Sequence, residues 1–163
     1  MRLLIKNFIC CLSILLIISC NEVVPEFDQN RAYQFLLDQC DFGPRNPGSI
    51  GYNNCKIFLQ KTLASYSDTV FTQPFVIDDI DDKQYDLSNI IAEYNMKSRP
   101  HLLIGAHWDT RPWADKDLNI EKHDQPIIGA NDGASGVSVI LELARIFQSN
   151  PPPMRVSLVL FDG

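Results

Sequence analysis

The chain has 163 residues, of which 45% are hydrophobic, 10% aromatic and 21% charged. This composition excludes a disordered chain, and the length predicts one domain with one core. Acidic residues number 20 against 14 basic ones, and the net charge is -6. So few and scattered basic residues exclude a phosphate-binding patch, and we expect no nucleic-acid partner.

The first twenty residues predict a bacterial lipoprotein signal. Arg2 and Lys6 supply a positive start, and the apolar run that follows is too short to cross a bilayer. The run ends in the letters IISC at Cys20, which resemble a lipobox. We expect a signal peptide over 1–19, a lipid on Cys20, a tether over 20–29, and a membrane-anchored protein in the bacterial cell envelope, facing the periplasm or the outside. An anchor helix or a plain secretory signal is the alternative.

Beyond the tether, residues 30–163 predict a single α/β domain, because helix-like and strand-like apolar spacings alternate along it. Pro74 predicts that the first strand is an edge strand, and the nearly all-apolar third strand is typical of a central one. In chain order the predicted elements are helix Arg31–Gln39 capped by Asn30, a helix opened by Ser49 or Asn53, strand Thr69–Ile77, an acidic turn over Asp78–Asp82, strands Leu87–Tyr94 and His101–Ala106, a polar loop over His107–Pro126, helix Ser135–Phe147 and strand Arg155–Phe161.

Two cysteines within the predicted domain leave the redox state open. If residues 1–19 are removed and Cys20 carries a lipid, Cys40 and Cys55 remain as a pair in an oxidising compartment. A bridge between them would close a loop of about 15 residues, with a contribution of roughly 3 kcal/mol in the chain-entropy model. Two free thiols, one on each helix, are the alternative.

Polar clusters stand where predicted strands end, at the side of an α/β sheet where sites form. His107 and Asp109 are two apart after an apolar strand, so both point to the same side, and a carboxylate there can fix the tautomer of a metal-binding histidine. Asp132 precedes the long helix and is either its N-cap or a ligand for a divalent ion. Asp162, after the last strand, is expected to support the backbone of the site.

Four motifs in this order resemble the zinc-dependent M28 peptidase superfamily: Gly105 begins GAHWDT, Gly129 begins GANDGASGV, Leu141 begins LELAR and Val159 begins VLFDG. The segments FGPR with PGS, and HWDTRPWAD, are closer to the glutaminyl-peptide cyclotransferases of that superfamily. The resemblance covers roughly residues 28–163 and corresponds to the N-terminal half of a family domain.

The resemblance implies a three-layer α/β/α zinc-exopeptidase-like fold with a mixed sheet, and Zn²⁺ as the cofactor. Asp132 matches the aspartate that ligates zinc in cyclases and bridges two zincs in aminopeptidases. His107 matches a histidine that ligates a second zinc in aminopeptidases and is usually left without metal in cyclases. Asp109 matches the carboxylate that orients this histidine, and we assign it to the catalytic apparatus.

The implied reaction converts an N-terminal Gln of a peptide or protein to pyroglutamate and releases ammonia. The alternatives are an M28-type zinc aminopeptidase and a surface lipoprotein that binds without chemistry. The family's acidic pair would follow Gly163, so we expect this chain to be an incomplete and inactive fragment. We also expect the sheet to be truncated after the strand ending at Phe161, which would leave Arg155–Phe161 with an unpaired apolar edge.

Other polar and aromatic residues have less specific expectations. Arg45 and Arg111 are expected to hold loops by pairing with acids, and Glu142 to face solvent or pair with an arginine. Trp108 and Trp113 are candidates either for a pocket wall or for ordinary packing.

Overall fold

A computed structural model describes residues 24–78 and 82–163. The predicted signal peptide, Cys20 and the centre of the acidic turn lie outside the described residues. The elements are helices α1 (Gln29–Asp41), α2 (Ile50–Tyr66) and α3 (Ser135–Ser149) and strands β1 (Thr69–Asp78), β2 (Gln84–Tyr94), β3 (His101–His107) and β4 (Arg155–Phe161). In these two ranges, no helix combines the length and the apolar character needed to cross a membrane.

The four strands form one mixed sheet in the order β1-β2-β4-β3. β1 and β2 are antiparallel, as are β2 and β4, whereas β3 and β4 are parallel. Helix α3 connects β3 to β4, so the predicted β-α-β unit is confirmed. Because β3 and β4 are parallel and in register, His107 lies opposite Phe161, and the residues that follow both strands meet at one edge of the sheet.

Capping side chains fix where the first two helices begin. Asp28 accepts hydrogen bonds of 3.0 Å from the backbone N–H groups of Asn30 and Arg31, so α1 begins earlier than predicted and Asn30 is not its cap. Ser49 accepts a 3.0 Å bond from the N–H of Tyr52 and caps α2, as predicted.

One apolar core lies between the sheet and helices α2 and α3. Alternate residues of β4 point into it, whereas Ser157 and Phe161 belong to the opposite face. The core side chains include Tyr52, Leu59, Leu63, Ile90, Trp108, Val137, Leu141, Leu158 and Leu160. This core holds the end of β3 and the start of α3 against each other, which positions the polar clusters described below.

Two predictions about the sheet are wrong for the described residues. β3 is an edge strand rather than a central one, and Leu102 and Leu103 are 46% and 54% exposed. β4 lies between β2 and β3, so Arg155–Phe161 has no unpaired edge there. A short apolar run has no periodicity that distinguishes a central strand from an edge strand. For this reason β3 was predicted at the centre of the sheet and β4 at its edge, the reverse of their observed positions.

Cys40 and Cys55 are free thiols, so the second of the two alternatives holds. Cys55 belongs to the apolar core and is fully buried. Burial raises its pKa to about 12, which keeps it in the unreactive thiol form. In this structure Cys55 acts as a small apolar core residue.

Candidate functional site

His107 and Asp132 meet at the edge of the sheet, 25 positions apart in sequence. The His107 Nε2 atom lies 2.9 Å from Asp132 Oδ1. Both side chains remain open to solvent, His107 at 44% and Asp132 at 65% exposure. The predicted convergence of the two clusters is therefore confirmed, and it leaves an imidazole and a carboxylate accessible to a ligand.

The backbone around Asp132 explains why its side chain faces His107. Residues Ala130–Ala134 form a kinked turn before α3, and Asp132 itself is not helical, with φ −107° and ψ 93°. Gly129 begins this turn in the left-handed region, with φ 62°. Ala134 occupies the N-cap position of α3, so the N-cap interpretation of Asp132 is wrong.

Asp109 lies on the other side of the same imidazole. Its Oδ1 atom is 3.3 Å from His107 Nδ1, at the long end of the hydrogen-bond range. Both imidazole nitrogens therefore face carboxylate oxygens, and only the doubly protonated ring can donate to both. In the neutral ring, Asp109 is placed to accept from an Nδ1–H, the tautomer that leaves a lone pair on Nε2.

Arg45 bonds to loops, as predicted, but its partners are not the predicted acids. It is fully buried, and its guanidinium donates to backbone carbonyls rather than to acids. The sequence offered no signal for this, because carbonyl acceptors are present at every position. Arg111 does pair with the acid Asp115, as predicted.

The two tryptophans have different environments. Trp108 is fully buried, and its ring centroid lies 4.5 Å from that of Tyr52, so it is a core residue beneath the site. Trp113 is 57% exposed. Together with Asp109 and Arg111 it lines a surface cavity of about 540 Å³, whose lining includes neither His107 nor Asp132.

Asp162 supports the backbone, as predicted, and does so from a buried position. Its Oδ2 atom accepts 2.6 Å hydrogen bonds from the Tyr52 hydroxyl and from the Ser88 N–H, while Oδ1 is buried without a partner in the structure. Burial raises its pKa to about 6. Glu142 is also buried, and it pairs with Arg145 rather than facing solvent.

The described side chains at this edge are of types that bind zinc, but there are too few of them to form a zinc site alone. Imidazole nitrogen and carboxylate oxygen are both zinc ligands, but structural and catalytic sites use at least three protein ligands. Within residues 24–78 and 82–163, no three histidine, cysteine, aspartate or glutamate side chains gather closely enough to hold a metal ion. His107 and Asp132 supply two donors of these kinds at one edge of the sheet.

Comparison with known proteins agrees with the observed fold. Residues 89–163 match the model of the family described as Peptidase family M28. The glutaminyl-peptide cyclotransferase-like protein of Bos taurus is 26% identical over 155 residues, which span 87% of this chain and 37% of the bovine protein. The matched M28 segment contains His107, Asp109, Asp132 and Asp162.

Solved structures extend the similarity to three dimensions. The glutaminyl cyclase of Bacteroides thetaiotaomicron, solved with N-acetylhistamine, is 38% identical with a TM-score of 0.81 over 84% of this chain and 47% of its own. A leucine aminopeptidase precursor from the same organism has 38% identity and a TM-score of 0.82, with coverage of 84% and 47%. The chain spans about half the length of these solved relatives.

The fold and the family match together indicate a class: the described residues have a fold similar to zinc-dependent exopeptidases and glutaminyl cyclases, and residues 89–163 are similar to Peptidase family M28. Within that class, the resemblance to glutaminyl cyclases is confirmed by bacterial cyclase structures and by the bovine relatives.

Proposed function

We propose that this chain forms part of a zinc-dependent glutaminyl-peptide cyclotransferase, which converts the N-terminal Gln of peptides and proteins to pyroglutamate. The single observation that carries the proposal is the His107–Asp132 pair, 2.9 Å apart at the edge of the sheet. The similarity to a solved bacterial glutaminyl cyclase at 38% identity supports the same reaction.

The reaction needs geometry more than a strong nucleophile. The α-amine of the substrate attacks its own γ-carboxamide carbon, a five-membered ring forms, and ammonia leaves with the amide nitrogen. Because the amine is already tethered to its target, much of the rate comes from holding the glutamine side chain folded, with the amine close to the carboxamide carbon. When bound, zinc supplies Lewis-acid polarisation of the carboxamide.

Each residue of the candidate site has a separate task in this proposal. Asp132 would hold the zinc, and His107 stands beside it as the further candidate ligand of this chain. Asp109 keeps the His107 imidazole in one tautomer and orientation through Nδ1. The proton that moves from the amine to the leaving nitrogen requires a further carboxylate, and we assign that task to none of the described residues.

A second candidate function is an M28-type aminopeptidase. A specific observation favours it: a leucine aminopeptidase precursor of known structure matches this chain as closely as the cyclase does, at 38% identity. In that case His107 would hold a second metal, and water rather than the substrate's own amine would attack.

We also propose that the protein is lipid-anchored through Cys20 in the bacterial cell envelope. The support is the IISC sequence at the end of the apolar run, followed by eight residues, 21–28, before α1 begins at Gln29. The test is membrane fractionation of a strain carrying Cys20→Ser, because the variant cannot take a thioether-linked lipid. Unchanged membrane retention would contradict the anchor.

A chimera tests the proposed reaction. Residues 28–163 would replace the matching segment of Bacteroides thetaiotaomicron glutaminyl cyclase, and the product would be incubated with a Gln-initiated peptide and zinc. Cyclase function predicts ammonia release without chain shortening, whereas aminopeptidase function predicts release of free glutamine.

Matched variants complete the experiment. Asp132→Ala is expected to abolish ammonia release, while Asp124→Ala, on an exposed part of the polar loop, is expected to leave it unchanged. A folded, zinc-loaded chimera that releases neither product would overturn the enzyme proposal and favour a binding module.

A further inference from the structure

We infer that Arg45 is the positioning residue that sets the distance between His107 and Asp132. The inference rests on the proposed function, since it assigns a device that holds the two candidate metal-binding side chains in register. Arg45 lies in the connection between α1 and α2, 62 positions before His107 and far from either loop in sequence.

The guanidinium of Arg45 joins the two loops directly. Its Nε donates to the carbonyl of Trp108 at 3.1 Å, one residue after His107. Its Nη2 donates to the carbonyl of Gly129 at 2.9 Å, at the start of the turn that carries Asp132. Because Nε and Nη2 belong to one rigid plane, these bonds fix the separation of the two carbonyls and thus of the chains that bear them.

Further hydrogen bonds of Arg45 attach it to both loops. Nη1 donates to the Ile128 carbonyl at 2.8 Å, on the Asp132 side. The Arg45 N–H donates to Thr110 Oγ1 at 2.8 Å, and the Thr110 N–H donates back to the Arg45 carbonyl at 3.2 Å, on the His107 side. Backbone and side chain of Arg45 therefore hold both loops at once.

The surroundings of the guanidinium favour positioning over ordinary ion pairing. Arg45 is fully buried, and among the described residues no carboxylate oxygen comes within 4.0 Å of its nitrogens. Burial lowers its pKa, the mark of a charge taken out of water at a cost. A Cβ at Gly129 would lie 3.1 Å from Nη2, so the close approach of the guanidinium also depends on glycine there.

Nuclear magnetic resonance of the full chain reports the distance between the His107 ring and the turn that carries Asp132. The Cβ position at Gly133 lies 2.9 Å from His107 Cε1, so a Gly133 α-proton is expected to show a strong Overhauser cross-peak with His107 Hε1. The chain has three histidines, and His101 and His123 serve as internal references. The measurement needs neither metal nor activity, so its failure is distinct from failure of the cyclase assay.

Two variants test the inference. Arg45→Met is expected to abolish the cross-peak and shift the His107 ring signals, leaving those of His101 and His123 in place. Arg45→Lys keeps the charge but not the planar fork, so it is expected to lose the cross-peak as well. The matched control is Glu142→Gln, another fully buried charged residue, which is expected to keep the cross-peak. Retention of the cross-peak in either folded Arg45 variant overturns the inference.

The wild-type chain provides a measurement that does not depend on a variant folding. If Arg45 holds the loops, its Nε–H, which donates to the Trp108 carbonyl, exchanges slowly with solvent. Rapid exchange of that Nε–H, at the rate of the exposed Arg31, would overturn the inference whatever the variants do.

Discussion

Gly133 lies against the imidazole of His107. A Cβ added at Gly133 would stand 2.9 Å from Cε1 and 3.0 Å from Nδ1 of the ring, and nearer still to the carbonyl oxygen of His107. A real side chain does not tolerate such contacts, and the carbonyl oxygen is backbone that cannot rotate away. The glycine is therefore what allows the turn bearing Asp132 to approach the end of β3.

The first prediction concerns Gly133→Ala. The added methyl group must push the turn and the His107 backbone apart, and overpacking of this kind costs roughly 1–3 kcal/mol. We expect a lower urea midpoint for the chain and loss of ammonia release in the chimera. Gly136→Ala is the control, since its Cβ meets only the Ala106 methyl at 3.0 Å and alanine favours a helix. Equal effects of the two substitutions would refute the steric argument.

Most of the fold was predictable because its signals are local. The apolar spacing of α3, the β-branched strands and the Ser49 cap all lie within a few residues of the elements they define. The order of the strands was not predictable. β3 pairs with β4 across more than fifty residues, and an apolar run such as β3 looks the same in sequence at the edge of a sheet as at its centre.

The site likewise contains residues that were predictable from the sequence and residues that were not. His107, Asp109 and Asp132 were predicted from residue type and placement after strands, and the structure brings them together. Arg45 was predicted to pair with acids and instead bonds carbonyls. Tyr52, which donates to Asp162, was missed altogether, because a tyrosine at that spacing on α2 is indistinguishable in sequence from one more core aromatic.

The second prediction concerns Asp109→Asn in the chimera. The amide cannot stabilise a proton on Nδ1 as a carboxylate does, so the imidazole loses its fixed tautomer. If His107 holds metal, we expect zinc affinity to fall about 10- to 100-fold, the usual effect of such an outer partner. Isothermal titration with zinc measures it.

Asp124→Asn is the matched control for this substitution, because it removes one exposed charge from the same loop. Unchanged zinc affinity in Asp109→Asn would mean that His107 does not hold metal. That outcome would favour a cyclase in which Asp132 ligates alone from this chain, and it would count against the aminopeptidase alternative.

The third prediction follows from the buried carboxyl of Asp162. Its pKa is raised from 3.8 to about 6, so between these values the folded state binds more protons than the unfolded state. The contribution of Asp162 therefore makes the free energy of unfolding fall as pH rises from about 4 to 6, and the loss is complete above that window. We expect an effect on the order of 1–2 kcal/mol, reduced by solvent screening.

Asp162→Asn isolates this contribution. The amide oxygen can still accept from Tyr52 and Ser88, but the side chain no longer ionises, so any packing cost is independent of pH. Urea unfolding at pH 4 and pH 7 is expected to show the variant gaining stability relative to wild type at the higher pH. Parallel pH profiles for the two proteins would show that Asp162 has the same pKa in both states.

The last prediction concerns the exposed edge of the sheet. In the described part of the chain β3 pairs only with β4, so one row of its backbone N–H and C=O groups lacks a strand partner, beside the half-exposed Leu102 and Leu103. Such an edge is a template for another strand. We expect the full chain to self-associate with rising concentration in sedimentation velocity, and Leu103→Lys to suppress this, because a charge at the edge must be desolvated for pairing.

Val24→Lys, at an exposed apolar position outside the sheet, is expected to leave the association unchanged. If both lysine variants suppress it equally, general repulsion and not the β3 edge controls the association.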